Sequence, residues 1–415
     1  MRNKTNISSI LKNNAVTVLF IVLCVICFAY SGQSISYLLF ELTGRLTRNA
    51  FIVLALIIPI VAGMGINFAI TIGAMAAQIA ILWVLEMRLE GTFAFVVAAA
   101  MTLPIATLFG YLVGKTLNRM KGQEMIGSMI LGYFANGLYQ LLFLFIFGNL
   151  IPMTRPGLVI KGSSGIANTL DLKPANMMYS LDNLWKLKFE YALYVLVGIF
   201  VVYTLVRYLL KRTTLTRAGT SAGIALALCV VYHIPAIKAC FVMVSVPMVT
   251  ALLVFLLCMF NQAIMSTRLG QQMRAVGQNG HVANAAGINV DRTRLIAIIF
   301  STVLAGWGQL IFVQNMGSLQ TYGAHEQMGL YAGAAILVGG ASIVRATNVQ
   351  ALVGCILFHL LFIVAPPAGK NLFGDAAIGE YFRVFVSYGV IALALVLHEL
   401  RKRSEKTQPK LEENA

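Results

Sequence analysis

Apolar tracts follow one another along nearly the whole of this chain, and that pattern limits its fold more than any motif does. They lie at 15–30, 50–66, 68–85, 92–114, 125–147, 190–210, 221–237, 239–264, 295–314, 328–343, 349–365 and 381–397. A helix that crosses a bilayer needs about 20 mainly apolar residues, and inside hydrocarbon its backbone must satisfy itself. Soluble domains carry roughly 25% charged residues; here the share is 11%, beside 59% hydrophobic. The chain reads as an all-α integral membrane protein. Several tracts are short or cut by Gly and Pro, so about ten to twelve spans with some half-helices are expected. They form one membrane domain over 15–397, between an N-terminal stretch 1–14 and a tail 398–415.

The net charge of +16 calls for no nucleic acid, because basic residues gather where the positive-inside rule wants them. The groups are Arg2, Lys4 and Lys12; Lys115, Arg119 and Lys121; Arg207, Lys211, Arg212 and Arg217; Arg268, Arg274, Arg292 and Arg294; and Arg401, Lys402 and Arg403. Counting crossings from an inside start puts all of these, both termini and the 267–294 loop in the cytoplasm. The 148–189 loop then falls outside. Its Pro152, Pro156, Pro174, Gly157, Gly162 and Gly165 suggest an ordered cap with short turns. No small-residue cleavage pattern follows the first tract, which is expected to remain as an anchor.

Three short matches lose their meaning in context. Cys24 and Cys27 form a C-x-x-C inside the first tract, and the six cysteines all fall in or beside apolar tracts, so they read as small packing residues rather than disulfides or metal ligands. Gly114-Lys115-Thr116 resembles the end of a phosphate-binding loop, but position 109 is Phe and an apolar helix precedes it, so no nucleotide site is expected here. His325-Glu326 lacks the second His of the zinc-protease pattern, since position 329 is Gly. No catalytic residues, metal or cofactor are assigned to this chain. Gly110 with Gly114, and Gly329 with Gly333, have the spacing that lets helices approach closely, within the chain or between subunits.

Two stretches are broken by glycines and carry polar groups at membrane depth. In 59–78, Pro59, Gly63, Gly65 and Gly73 accompany Asn67, Thr71 and Gln78; in 305–345, Gly306 and Gly308 accompany Gln309, Gln314 and Asn315. Discontinuous helices of this kind frame solute paths in transporters. The six polar residues are candidate path-lining groups, against the plainer reading of local bending with polar groups satisfied by neighbouring helices. No carboxylate recurs at membrane depth where an ion-driven route would want it. A channel or secondary transporter working alone is the alternative to a pathway powered by another subunit.

The segment from Thr267 to Gly306, TRLGQQMRAVGQNGHVANAAGINVDRTRLIAIIFSTVLAG, is the longest polar excursion leading into a helix. It resembles the cytoplasmic signature of permease subunits from bacterial ABC importers of the branched-chain amino acid, simple sugar and nucleoside superfamily. Arg268 and Gly270, Arg274-Ala275-Val276-Gly277, Asn279, Ala283 and Ala286, and Gly287-Ile288-Asn289-Val290 carry the resemblance, with Ser301, Ala305 and Gly306 continuing it. GMGINFAITIGAMAAQ at 63–78 and AAILVGGAS at 334–342 are similar to the early and late glycine motifs of that family. Where many relatives carry an acidic residue beside the Gly277 position, this chain has Gln278-Asn279-Gly280. The early segment likewise lacks the acidic residue that many relatives carry.

The resemblance implies a type II ABC importer bundle in the bacterial inner membrane. It also implies a second permease subunit, identical or not, cytoplasmic ATP-binding subunits that hold the ATP and Mg, and an external solute-binding protein. The coupling residues it marks are Arg268, Gly270, Arg274, Gly277, Asn279, His281, Ala286, Gly287, Asn289 and Arg292. A short helix over 281–287, ended by Gly287, is expected to lie on the membrane face and enter a cleft of the ATPase. The AVGQN and GINV runs look closest to the sugar and nucleoside branches, with branched-chain amino acid uptake as the runner-up.

Overall fold

The computed structural model describes residues 15–160, 165–209, 215–375, 377–386, 388–389, 391–392 and 396. The expected terminal segments 1–14 and 398–415, with their basic residues, lie outside these, as do Lys211 and Arg212. Among the described residues the α-helices with assigned bounds are, in chain order, α1 (Ala15–Ser31), α2 (Ile35–Ala55), α3 (Ile57–Val61), α4 (Ile70–Glu86), α5 (Gly91–Leu117), α6 (Glu124–Leu141), α7 (Phe189–Leu209), α8 (Leu215–Tyr232), α9 (Pro235–Cys240), α10 (Met248–Ser266), α11 (Arg268–Gln278), α12 (Gly280–Ala285), α13 (Val290–Met316), α14 (Met328–Val338) and α15 (Asn348–Phe373); residues 377–386 are helical as well.

The result is an all-α polytopic bundle, as the tracts imply. Among the described residues six helices are long and apolar enough to cross a bilayer: Ile35–Val61, Gly91–Leu117, Glu124–Ile146, Met248–Ser266, Val290–Met316 and Asn348–Phe373. Five further tracts become shorter apolar helices, including Ile70–Glu86 and Met328–Val338. The largest departure from the tract boundaries is α2. It begins at Ile35, so that the polar run Glu41 to Asn49 is helical and at least partly buried.

Small residues decide how the centre is packed. Ala94, Ala98, Thr102, Ala106, Gly110 and Gly114 recur four apart on one face of α5, and all are buried. That face meets α13, where Gly110 and Gly114 lie against Ile299, Thr302 and Leu295. Helices in lipid gain from van der Waals contact and not from expelling water, so a smooth face that admits a close backbone is the stabilising device. Helix α4 completes the trio, and there a Cβ on Gly73 would sit 2.2 Å from the Thr302 carbonyl oxygen. A second layer packs α15 on α1, α2 and α14. Helices α7 and α8 pair with each other as an outlying hairpin whose apolar side chains are mostly exposed.

Three-residue strands tie the 148–189 connection down. Thr169–Asp171 pairs antiparallel with Ser318–Gln320, and Lys186–Lys188 with Ser245–Pro247. Glu86 at the end of α4 accepts hydrogen bonds from the Thr154 amide and hydroxyl, both at 2.7 Å. Residues 161–164, with Gly162, lie outside the described residues; the rest of the connection is turn-rich, as its Pro and Gly residues lead one to expect, and is held against one end of the bundle.

Candidate functional site

At the opposite end of α13 the 267–294 segment folds as two short helices with side-chain caps. The Thr267 hydroxyl accepts from the Gly270 amide and starts α11. Gly270, Met273 and Val276 face inward while Arg268 and Arg274 are exposed, so the polar run is one amphipathic turn after another. Asn279 Oδ1 accepts from the amides of His281 and Val282 at 3.0 and 3.1 Å and starts α12. This is the short helix expected at 281–287, begun one residue earlier. Gly287 follows with φ +82°, a left-handed turn that a side chain disfavours, and Asn289 then caps α13 through the Arg292 amide. His281, Val282, Ala286 and Arg292 are exposed, and Val282 is 63% accessible despite being apolar.

Two ion pairs fasten this segment to the turn before α6. Arg294 meets Glu124 at 2.7 Å and Lys121 meets Asp291 at 3.1 Å. The Asn118 amide adds a bond to the Asp291 carbonyl. Between them lies a groove of about 770 Å³, lined in part by Gly122, His281, Asn284 and Ile288.

The inner side of α11 reaches the broken stretch. A Cβ on Gly277 would lie 2.2 Å from the Val61 carbonyl oxygen, and one on Gly63 would lie 2.6 Å from the Gly277 Cα. Residues 62–69 form a non-helical passage between α3 and α4, buried apart from the half-buried Gly63. Irregular backbone at this depth survives only where protein covers it. Here Ser128 accepts from the Phe68 amide, Asn67 Oδ1 accepts from the Ala69 amide, and Gly329 and Gly333 of α14 lie against Phe68 and Ile66. The Gly329 and Gly333 spacing therefore serves packing within the chain.

The six polar candidates fall into separate groups. Asn67 and Thr71 border the passage, and Thr71 donates back to the Phe68 carbonyl. Gln78 belongs to a buried cluster in which its Oε1 lies 2.7 Å from the Tyr139 hydroxyl and 3.0 Å from His325 Nδ1, while His325 Nε2 lies 2.8 Å from Asn136 Oδ1. Burial pushes His325, in the connection between α13 and α14, down to about 4. A neutral ring donates through one nitrogen only. The Gln78 amide, whose Nε2 otherwise meets no partner, satisfies the ring when turned end for end, an orientation that hydrogen-bond logic assigns. Gln309 is fully buried with neither side-chain atom hydrogen-bonded. Gln314 and Asn315 donate to the two oxygens of Asp182, at 3.0 and 2.7 Å, and Thr250 donates to Asp182 as well.

None of those six lines the cavity of about 610 Å³ that opens beside Asn315, between α2, the end of α13, the start of α14 and the middle of α15. Its walls include Arg45, Arg48, Glu326, His359 and Arg383, with Phe312, Tyr331 and Phe362 between them. Apart from Glu326, met only in the rejected His325-Glu326 match, these residues are absent from the tract-based reading. The signal that marks the first two is Glu41, Arg45 and Arg48 at helical spacing immediately before an apolar run. His359 is a lone His inside an apolar tract, and nothing in its neighbourhood of sequence distinguishes it. Among the described residues no group of three His, Cys, Asp or Glu side chains is placed to hold a metal ion.

A buried non-helical passage, a capped surface segment packed against it and a charged cavity within a helical bundle together define a multi-pass membrane protein of the permease kind. Residues 38–395 match the family described as branched-chain amino acid transport system / permease component, and the chain belongs to that family. It is similar to the nucleoside ABC transporter permease protein NupC of Lactococcus lactis subsp. cremoris, with 29% identity over 168 residues, 40% of this chain and 50% of that protein. It is similar also to the ribose import permease protein RbsC of Escherichia coli K12, with 29% identity over 134 residues, 32% of this chain and 39% of that protein. The xylose transport system permease protein XylH of Haemophilus influenzae shows 28% identity over 137 residues, 33% of this chain and 35% of that protein. The chain thus spans half or less of the length of these relatives. No solved structure matches it.

Proposed function

We propose that this chain forms the translocation path of an ATP-driven importer in a bacterial inner membrane, carrying a simple sugar or a nucleoside. The observation that carries the reading is the backbone contact of Gly277 with Val61 and Gly63. A force applied to the exposed face of α11 and α12 reaches the non-helical passage through main chain alone, with no flexible side chain between.

In this reading the 267–294 segment faces the cytoplasm, and the ATP and Mg belong to separate ATP-binding subunits. His281, Val282 and Ala286 enter a cleft of the ATPase, while Arg268, Arg274 and Arg292 meet its carboxylates or lipid headgroups. Gly270, Gly277, Asn279, Gly287 and Asn289 give the segment its shape. Closure of the ATPase pair moves it as a body and switches the access of the path. Asn67, Thr71, Gln78, Gln309, Gln314 and Asn315 meet the solute as that path opens; their amide and hydroxyl groups can both donate to and accept from the solute's hydroxyls. A second permease subunit completes the path, an external binding protein delivers the solute, and the 148–189 connection faces that protein. The sugar and nucleoside relatives support the substrate class.

The test is uptake by liposomes holding the chain with its ATP-binding subunits, with labelled ribose, xylose, adenosine and leucine supplied with the binding protein. ATP-dependent accumulation of a sugar or the nucleoside is expected. Leucine alone would move the chain to the branched-chain amino acid reading, which the family description favours. Accumulation without ATP would make it a transporter working alone.

A further inference from the structure

The cavity between α2, α13, α14 and α15 holds one arginine, Arg48, that makes no direct ion pair. Arg45 pairs with Glu41 one helical turn away, and Arg383 pairs with Glu380. Arg48 makes no ion pair among the described residues, although Glu41 attracts it along α2, Glu326 lines the same cavity, and Asn315 beside it donates to Asp182. Its Nη1 is 3.4 Å from Asn315 Oδ1 and 3.3 Å from Met316 Sδ, and its buried Nε donates to nothing. The Phe312 ring lies 5.9 Å from its guanidinium carbon. On the far wall His359 is 7% exposed, and its Nδ1 has no partner. A half-buried guanidinium with an unpartnered Nε and no direct ion pair keeps donors free for a ligand that carries acceptor oxygens.

Resting on the transport reading given above, we infer that this cavity receives a small solute bearing a single carboxylate, such as a sugar acid, and that Arg48 holds the carboxylate. Three features set the class. Arg48 lacks the ion pair that Arg45 and Arg383 have, and its planar fork matches a carboxylate in two parallel hydrogen bonds. His359 Nδ1 and Gln327 offer hydrogen-bonding groups for hydroxyls, and Tyr331 and Phe362 give a face for the apolar side of a ring. A space of about 610 Å³ lies in the range of small-molecule pockets.

The test needs neither ATP nor a partner. In a variant of the full chain with its native cysteines replaced, Gln327→Cys places a thiol on the cavity wall. Its reaction in lipid nanodiscs is timed with two methanethiosulfonates of similar size, one carrying a sulfonate and one a trimethylammonium. The anionic reagent is expected to react faster by about tenfold relative to a cysteine on the exposed surface. Arg48→Gln should abolish the preference and Arg48→Lys should keep it, which separates charge from folding. Glucuronate should slow the reaction more than glucose at equal concentration. No anionic preference, a preference untouched by Arg48→Gln, or protection by glucuronate no better than by glucose overturns the assignment. Uptake of a neutral sugar that survives Arg48→Gln would do so too while leaving the transport reading standing.

Discussion

Gly277 and Gly63 touch backbone to backbone, with the Cβ position of Gly63 only 2.6 Å from the Gly277 Cα. No other residue type fits on either side, because the obstructing atoms are main chain and cannot swing away. The contact joins the end of the amphipathic surface helix to the start of the passage between α3 and α4, two parts that lie far apart in the chain.

Replacing Gly277 by Ala should therefore force α11 off the passage. Overpacking of this kind costs about 1–3 kcal/mol. The expected result is a lower melting temperature in detergent and faster proteolysis within 267–289, measured on the purified chain. A melting temperature unchanged from the parent would show that the two backbones separate freely.

Gly287 offers a contrast at the other end of the short helix. Nothing stands within 4 Å of its Cβ position, but its φ is +82°, so Gly287→Ala should cost only about 1 kcal/mol of backbone strain. Gly287→Val, or Arg274→Glu on the exposed face, is expected to leave the protein in the membrane with little uptake and poor co-purification with the ATPase. Normal uptake and co-purification in both would remove the coupling role proposed for 267–294.

Asp182 gathers Thr250, Gln314 and Asn315 onto one buried carboxylate. Asp182→Asn turns an NH2 group toward one of these donors, and a buried clash of donors costs about 1–3 kcal/mol. Loss of thermal stability, with the α13 end and the connection after residue 165 exchanging amide hydrogens faster, is the expected readout. Asp182→Leu should be worse, since all three donors are then left without an acceptor.

His325 should give the protein an acid-sensitive stability. Its folded value near 4 lies below the free value of 6.5, so between the two the unfolded chain binds more protons than the folded one. The stabilisation is complete above about pH 6.5. It is lost as pH falls toward about 4, in an amount on the order of 3 kcal/mol. Melting temperatures from pH 7.5 to 4.5 should fall more steeply for the parent than for His325→Gln. Parallel curves would mean that the ring already carries its proton when buried.

Much of the bundle was legible because hydrophobicity in a membrane chain is written over whole helices, and tracts such as 92–114 and 295–314 became α5 and α13 with little change. The short helix α12 was legible to within two residues at either end because the polar and glycine residues that bound it act locally. Helix α2 was not, since its middle, Glu41 to Asn49, is read as polar when each residue is weighed alone, and only packing against α13 and α15 explains it. The charged cavity was hidden for the same cause. Arg48, Phe312, Tyr331 and His359 stand far apart in sequence and meet only once the helices have been assembled.

Helix α2 also constrains how the chain enters its membrane during synthesis. On insertion scales an arginine at a helix centre costs roughly 3 kcal/mol, and α2 carries Arg45 and Arg48 beside Glu41. The side chain that receives Arg48, Asn315, emerges from the ribosome 267 residues later. Until then this segment has little reason to stay in lipid by itself, so α2 settles into place among the last, held at the translocon or the interface while the later helices arrive.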